Sequence, residues 1–328
     1  MECGATVKAI VVKELGGPEQ LLYEDVVDRK PGPGELAVQV SAAGVNFIDT
    51  YHRTGLYPMD LPFTPGLEGA GRVVEVGEGV QGFEPGDLVG WVAALGSYAE
   101  RHIVPAAAAI PVPEGVGEDV AAAILLQGIT AHYLATDTFP LSAGDVCLVH
   151  AGAGGIGLLL TQIAKTRGAE VVTTVGTEEK AALSEEAGAD LVVIYTETDF
   201  QEEIEKEFGP KALDVVYDGV GATTFMKGLE LLRPRGMMVA FGNASGPPPD
   251  ISPLILSQKG SLFLTRPTMA HYTQTRSELL ARADSLFDLV RADLLDVRIG
   301  QRYPLAKAAD AHRALAGRET TGKVLLEP

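Results

Sequence analysis

The stretch that decides the fold is Asp145-Val146-Cys147-Leu148-Val149-His150-Ala151-Gly152-Ala153-Gly154-Gly155-Ile156-Gly157. An apolar run enters a glycine cluster, and a second apolar run, residues 156–165, reads as a helix. Gly152, Gly154 and Gly157 fit the G-x-G-x-x-G spacing of a dinucleotide-binding turn. The first glycine permits a tight turn off the strand. The second lets a pyrophosphate approach the backbone, and the third lets the helix pack closely on the strand. The helix N-terminus then faces the anion. A glycine cluster alone is weak evidence. The strand before it and the helix after it are the context the motif requires.

Outward from this turn, strand and helix signals alternate. Residues 120–134 read as a helix. Strands are expected at 147–151, 170–175, 191–194, 213–217 and 237–241, with helices between them at 156–166, 178–187, 200–208 and 225–232. That alternation predicts a doubly wound parallel sheet. A loop with three consecutive prolines, residues 243–250, follows the fifth strand, and residues 261–264 read as a last strand at the sheet edge. Beyond it, 276–290 and 305–316 read as helices and 324–326 as a closing strand. The first 105 or so residues are different. Short segments rich in Val, Ile and Ala (8–12, 36–45, 71–76, 88–91, 98–104) are separated by Gly-Pro turns, which suggests a barrel-like β domain. The nucleotide-binding part therefore lies late in the chain, behind a β-rich part.

The chain has 328 residues, enough for two domains with real cores, and is 46% hydrophobic and 21% charged. Its net charge of −18 argues against a nucleic-acid partner, which needs a basic face. The two cysteines, Cys3 and Cys147, supply neither a disulfide framework nor a four-cysteine zinc lobe. The N-terminal residues lack the apolar core of a secretion signal, and no apolar run approaches the roughly 18 residues of a membrane span. A cytoplasmic protein with no membrane partner is expected.

Further residues complete a family pattern: Gly44-Val45-Asn46-Phe47-Ile48-Asp49-Thr50-Tyr51, Gly55-Leu56-Tyr57-Pro58, Pro65-Gly66-Leu67-Glu68-Gly69-Ala70-Gly71, Tyr217-Asp218-Gly219-Val220-Gly221 and Thr265-Arg266-Pro267. With the glycine turn, they make the whole chain resemble the medium-chain dehydrogenase/reductase superfamily. Within it the chain is similar to the zinc-free quinone oxidoreductases related to zeta-crystallin. The resemblance implies an α/β fold in which a Rossmann sheet is inserted after a β-rich GroES-like barrel. Residues 1–125 and 266–328 would form the GroES-like catalytic domain and 126–265 the NADPH-binding domain. Zinc-dependent members place a cysteine where Asn46 stands and a histidine where Leu67 stands. Neither residue is a plausible zinc ligand, and Glu68 alone makes no site, so no metal is expected.

The resemblance also implies site residues. The segment with Asn46, Tyr51 and Tyr57 reads as a loop after a strand, and in that family it lines the active-site cleft. Asn46 could donate to a substrate carbonyl or hold the nicotinamide ribose. Tyr51 and Tyr57 could stack on, or hydrogen-bond to, a flat quinone, or merely pack the loop. Asp49 is a second candidate, for proton handling, with capping of the following turn as the alternative. Gly155 and Ile156 would offer backbone N–H groups to the pyrophosphate. Gly176 stands where an NAD-preferring site carries Asp or Glu for the ribose 2′-hydroxyl. Its lack of charge leaves room for a 2′-phosphate, with Lys180, Tyr195 and Arg318 as partners. Thr130, Phe241, Asn243 and Phe263 match positions around the nicotinamide, although the two phenylalanines could equally be core.

The expected activity is NADPH-dependent reduction of a quinone by direct hydride transfer. A zinc-free reductase of activated carbon–carbon double bonds shares fold and cofactor and is the alternative. A nucleotide-regulated RNA-binding or crystallin-like structural role is a third reading, against which the acidic charge speaks. The apolar edge strand 261–264 invites pairing with a second copy, so a homodimer through that edge is expected.

Overall fold

A computed structural model describes residues 5–328, so Cys3 lies outside the described residues. In chain order the elements are β1 (Thr6–Val11), β2 (Leu22–Val27), β3 (Glu35–Val45), α1 (Phe47–Thr54), β4 (Glu68–Val76), β5 (Leu88–Val92), β6 (Arg101–Pro105), β7 (Ala109–Pro111) and α2 (Glu118–Tyr133). The chain continues with β8 (Val146–His150), α3 (Gly155–Thr166), β9 (Glu170–Val175), α4 (Glu178–Glu186), β10 (Leu191–Ile194), α5 (Phe200–Phe208), β11 (Leu213–Asp218), α6 (Phe225–Leu231) and β12 (Leu232–Ala240). It closes with α7 (Leu254–Gln258), β13 (Phe263–Thr265), α8 (Arg276–Arg291), β14 (Ile299–Pro304), α9 (Ala308–Ala316) and β15 (Lys323–Glu327).

Contacts divide the chain into two units. The first runs to Gln127 and takes up Leu279–Ala292 and Val297–Pro328; the second is Gly128–Glu278 with Asp293–Asp296. The expected return at residue 266 differs from this division by about a dozen residues. The cause is local. Tyr272 stacks on Tyr133 with ring centroids 4.2 Å apart, and it accepts a hydrogen bond from Thr138 at 2.9 Å, which binds the segment after β13 to the second unit.

The first unit is built on a sheet of order β14-β15-β3-β4-β5-β7, with β6 also pairing with β3, beside an antiparallel β1-β2 pair. Its central strand, β3, is buried at eight of its eleven positions, with only Gln39 exposed, so it is covered on both faces along most of its length. Leu36, Val38, Val40, Val73, Val89, Trp91 and Val104 form one core cluster. β2 and β14 were not expected from sequence. Both alternate half-buried and exposed side chains, and neither has the buried apolar set that marks a central strand.

The second unit holds a six-stranded sheet of order β10-β9-β8-β11-β12-β13, in which every pairing is parallel. Counting from β8, that is the doubly wound order whose direction reverses between the first and fourth strands. Ligands bind outside the carboxyl ends of the strands at that switch point. The expected edge strand is β13, which pairs with β12 alone. Leu148, Val172, Val216, Leu229, Leu232 and Met238 pack this core. Cys147 is a buried free thiol on β8, and burial pushes it well above the usual thiol range. No helix of the described residues is long and apolar enough to cross a membrane.

Candidate active site

The glycine turn leaves β8 at the switch point, and its three glycines have different physical reasons. A Cβ built on Gly152 would lie 2.6 Å from Thr173 Cβ and 2.7 Å from Ser184 Oγ; one on Gly157 would lie 2.3 Å from the Ala151 carbonyl oxygen. Both positions are closed to any side chain by packing. Gly154 is different: its Cβ would meet only the Ala151 oxygen, at 3.2 Å, and it caps α3 in an extended conformation. The helical ladder starts with Leu158 N–H donating to Gly154 O at 2.9 Å. The amides ahead of it, including Gly155 and Ile156, point out of the helix N-terminus, where the dipole favours an anion. A pyrophosphate fits this cradle.

At the ends of β9 and β10, Gly176 and Tyr195 lie against each other. A Cβ on Gly176 would reach the Tyr195 hydroxyl at 2.9 Å. Tyr195 is 42% exposed, with its amide bonded to Val175 O. Thr177 caps α4 by accepting the Lys180 amide at 3.3 Å, so Lys180 sits in the first turn of the helix that starts beside Gly176. Glu178 and Glu179 are exposed. Gly176, Tyr195 and Lys180 thus gather at one corner of the sheet. Arg318 belongs to the first unit, just after α9, with left-handed backbone (φ 60°).

Of the residues expected at the nicotinamide half, Thr130 is buried on α2, and Asn243 follows β12 in the loop at the sheet's carboxyl edge. Phe241 packs over the turn after β11, where a Cβ on Gly219 would meet its ring at 2.9 Å. That turn is shaped by the buried Asp218 carboxylate, which accepts the Val220 and Gly221 amides and the Thr224 hydroxyl. Phe263 is 57% exposed on edge strand β13, so it is not a core residue.

The segment after β3 is not the expected loop. Residues 47–54 form α1, and its buried face is polar: Asp49, Thr50, His52 and Arg53. A helix with its polar residues inward has no apolar stripe to reveal it in the sequence. Asp49 is fully buried. Its Oδ2 accepts the Asn46 amide at 2.8 Å, the carboxylate half of a capping box, and also the Tyr98 hydroxyl at 2.9 Å. His312 Nε2 lies 3.1 Å from that hydroxyl, and its Nδ1 lies 3.1 Å from Arg53 NH1. Arginine can only donate, so Nδ1 accepts, Nε2 carries the hydrogen and donates to Tyr98, and Tyr98 donates to Asp49. Burial pushes Asp49 up to about 7, against the lowering effects of these two hydrogen bonds and of Lys323. Its Oδ1 is buried without a partner. Burial, helped by Arg53, pushes His312 down to about 3. Asp49 is thus enclosed by protein groups and caps α1.

Asn46 is also committed to the protein. Its Oδ1 accepts from Lys323 Nζ at 2.8 Å, and its Nδ2 donates to Glu68 Oε2 at 2.9 Å and Gly44 O at 3.2 Å. The expectation that its amide serves a substrate carbonyl meets a side chain whose acceptor and donor are both engaged. A metal fares no better: Asn46 and Glu68 converge on the Lys323 ammonium, Leu67 offers no donor, and no group of three potential metal ligands occurs among the described residues. Tyr51 and Tyr57 do come together, with ring centroids 5.3 Å apart and edge-on at 66°, both half-buried. Sequence reasoning missed Lys323, Tyr98 and His312. The one available signal was a lysine opening the apolar strand Val324-Leu325-Leu326.

The family described as zinc-binding dehydrogenase matches residues 155–284, and the alcohol dehydrogenase GroES-like domain matches residues 32–114. The chain is 43% identical to the quinone oxidoreductase of Pseudomonas aeruginosa, over 98% of this chain and 99% of that one. It is 40% identical to a 2-haloacrylate reductase of a Burkholderia species, over 98% and 99%. A solved structure of the Escherichia coli quinone oxidoreductase complexed with NADPH superposes with a TM-score of 0.94 at 41% identity, covering 99% of this chain and 100% of that one.

Proposed function

This chain belongs to the quinone oxidoreductase family of the GroES-like dehydrogenases, and from that premise we propose that it is an NADPH-dependent reductase that passes a hydride to a quinone. The observation that carries this reading is the near-complete superposition on a quinone oxidoreductase complexed with NADPH.

Bound NADPH supplies the hydride; the chain supplies binding, orientation and shielding. The amides of Gly155 and Ile156, with Gly152, Gly154 and Gly157 shaping the turn, would hold the pyrophosphate at the N-terminus of α3. Gly176 leaves space for a 2′-phosphate, which Lys180 and Tyr195 would hold by charge-assisted and hydroxyl hydrogen bonds, with Arg318 as a further candidate cation. Thr130, Phe241, Asn243 and Phe263 would flank the nicotinamide. The edge-on pair Tyr51 and Tyr57 offers a flat acceptor an aromatic surface and two hydroxyls. Asn46 and Asp49 act by holding α1 in place. Hydride transfer of this kind rests on positioning.

The 2-haloacrylate reductase relative supports a second reading, reduction of an activated carbon–carbon double bond. Steady-state turnover on a panel of quinones, enones and 2-haloacrylate, with NADPH and NADH, separates the two. Quinones with NADPH should give the highest kcat/KM; an enone or haloacrylate outrunning every quinone would replace the first reading with the second. The exposed apolar edge of β13 supports a homodimer formed by strand pairing, and the free buried thiol of Cys147 fits a cytoplasmic setting.

A further inference from the structure

Lys323 is 1% exposed at the head of β15, among apolar neighbours. Its ammonium donates to Asn46 Oδ1 and to Glu68 Oε2. Asn46 Nδ2 donates to the same Glu68 oxygen, and Glu68 Oε1 accepts the Leu126 amide at 2.7 Å. Glu68 is 0% and Asn46 3% exposed. The partners come from four elements: the end of β3, the head of β4, the head of β15 and the middle of α2. Gly44 makes room for them. A Cβ there would lie 2.5 Å from Glu68 Oε2, 2.6 Å from Lys323 Cε and 2.7 Å from Lys323 Nζ.

An ion pair so deeply buried gives little net stability over apolar residues of the same volume. Its distinctive property is geometric, because every polar atom in the cluster has a fixed partner. Leu126 lies in the middle of the unbroken helix α2, and the bond from its amide to Glu68 ties that part of the helix to the head of β4. At the other end, Asn46 begins α1, which carries Tyr51. The Asp49 carboxylate holds only the main chain of Asn46; the Lys323 ammonium and Glu68 hold its side chain.

We propose that Lys323 is a positioning residue for hydride transfer, its buried ammonium locking the start of α1 and the register of α2 through Asn46 and Glu68 while touching neither substrate nor cofactor. The assignment rests on the NADPH-dependent reductase reading. The competing role is charge balance for Glu68 alone.

Lys323→Met by itself strands the Glu68 carboxylate, so the informative variant is Lys323→Met/Glu68→Gln, which removes both charges at similar volume. Positioning requires that this double variant melt within about 5 °C of wild type and yet lose at least about tenfold in kcat, with KM for NADPH moving less than about threefold. Amide exchange at residues 46–54 and at Leu126 should quicken. Recovery of wild-type kcat together with the melting temperature would overturn the proposal, and so would unchanged exchange at both places. A second variant, Gly44→Ala, keeps both charges but displaces them. It should show the same kcat loss at nearly constant KM, and wild-type kcat would overturn the proposal. Amide exchange needs no substrate, so a wild-type chain inactive on every quinone would defeat the functional reading while exchange still judged the lock.

Discussion

Tyr98 donates its hydroxyl to Asp49 Oδ2 at 2.9 Å, with both side chains shut off from solvent. Behind Tyr98 stand His312 and Arg53; in front of Asp49 stands the Asn46 amide. The start of α1, and with it the approach to Tyr51, is therefore set by a chain of oriented hydrogen bonds.

This chain has a pH signature. Asp49 is raised by burial from 3.8 to about 7. Between those values the folded protein keeps a proton that the unfolded chain has released, so the contribution of Asp49 to stability falls as pH rises through the window. His312 is lowered from 6.5 to about 3. Below pH 6.5 the unfolded chain binds a proton that the folded protein refuses, so its contribution is lost as pH falls. The two slopes oppose each other over most of the range. Asp49→Asn removes the first. Its melting temperature, measured by calorimetry, should rise relative to wild type between pH 5 and pH 8, by several degrees for a differential on the order of 2 kcal/mol. A pH-independent difference would show that Asp49 does not change protonation in that range.

Cofactor choice should follow the corner formed by Gly176, Tyr195 and Lys180. A charge-assisted hydrogen bond is worth about 1.5–3 kcal/mol, so Lys180→Ala should weaken NADPH binding by about tenfold or more and leave NADH nearly unchanged. Gly176→Asp should shift preference toward NADH; its Cβ meets only the outer end of the Tyr195 ring, which can move. Dissociation constants for both cofactors test this, and equal losses for the two would show that Lys180 does not read the 2′-phosphate.

Gly157→Ala should abolish tight cofactor binding. The added methyl would lie 2.3 Å from a main-chain oxygen, which cannot step aside without opening the turn. Overpacking of this kind costs about 1–3 kcal/mol, so the variant should fold, melt lower and bind NADPH at least about tenfold more weakly. Titration by cofactor fluorescence is the measurement. Gly154→Ala should cost the fold less, because its Cβ meets one atom at 3.2 Å.

Tyr51→Phe and Tyr57→Phe should lower kcat/KM for quinones modestly, since the edge-on contact survives. Either Tyr→Ala change removes the contact, worth about 0.5–1.5 kcal/mol beyond area, and should cost about tenfold. If the Phe variants lose as much as the Ala variants, the hydroxyls rather than the ring faces carry the interaction.

Light scattering should give the mass of a dimer at micromolar concentration, and Leu264→Lys should shift it toward monomer. Leu264 is 39% exposed and Phe263 57% exposed on an edge strand with a single partner. A monomeric wild type would remove edge pairing as the mode of assembly.

Much of this protein was legible in one dimension because the responsible physics is local. The turn from Gly152 to Gly157 announces itself, since close approach of main chain to main chain admits no side chain. Alternating strand and helix signals on either side of it are enough for a doubly wound sheet, and the expected edge strand is β13. Gly176 could be read as an uncharged strand end for the same reason. The α1 segment could not be read in this way. Its inward face is polar, and the partners that orient three of its groups lie far along the chain: Tyr98 for Asp49, His312 for Arg53, and Lys323 for the capping Asn46. Lys323 and Asn46 are 277 positions apart. Sequence periodicity records which side of an element meets water, whereas the choice of partner for a buried charge is made only when separate strands are brought into register. The tertiary structure therefore decided that Asn46 and Glu68 enclose an ammonium, and that Asp49 is a buried cap.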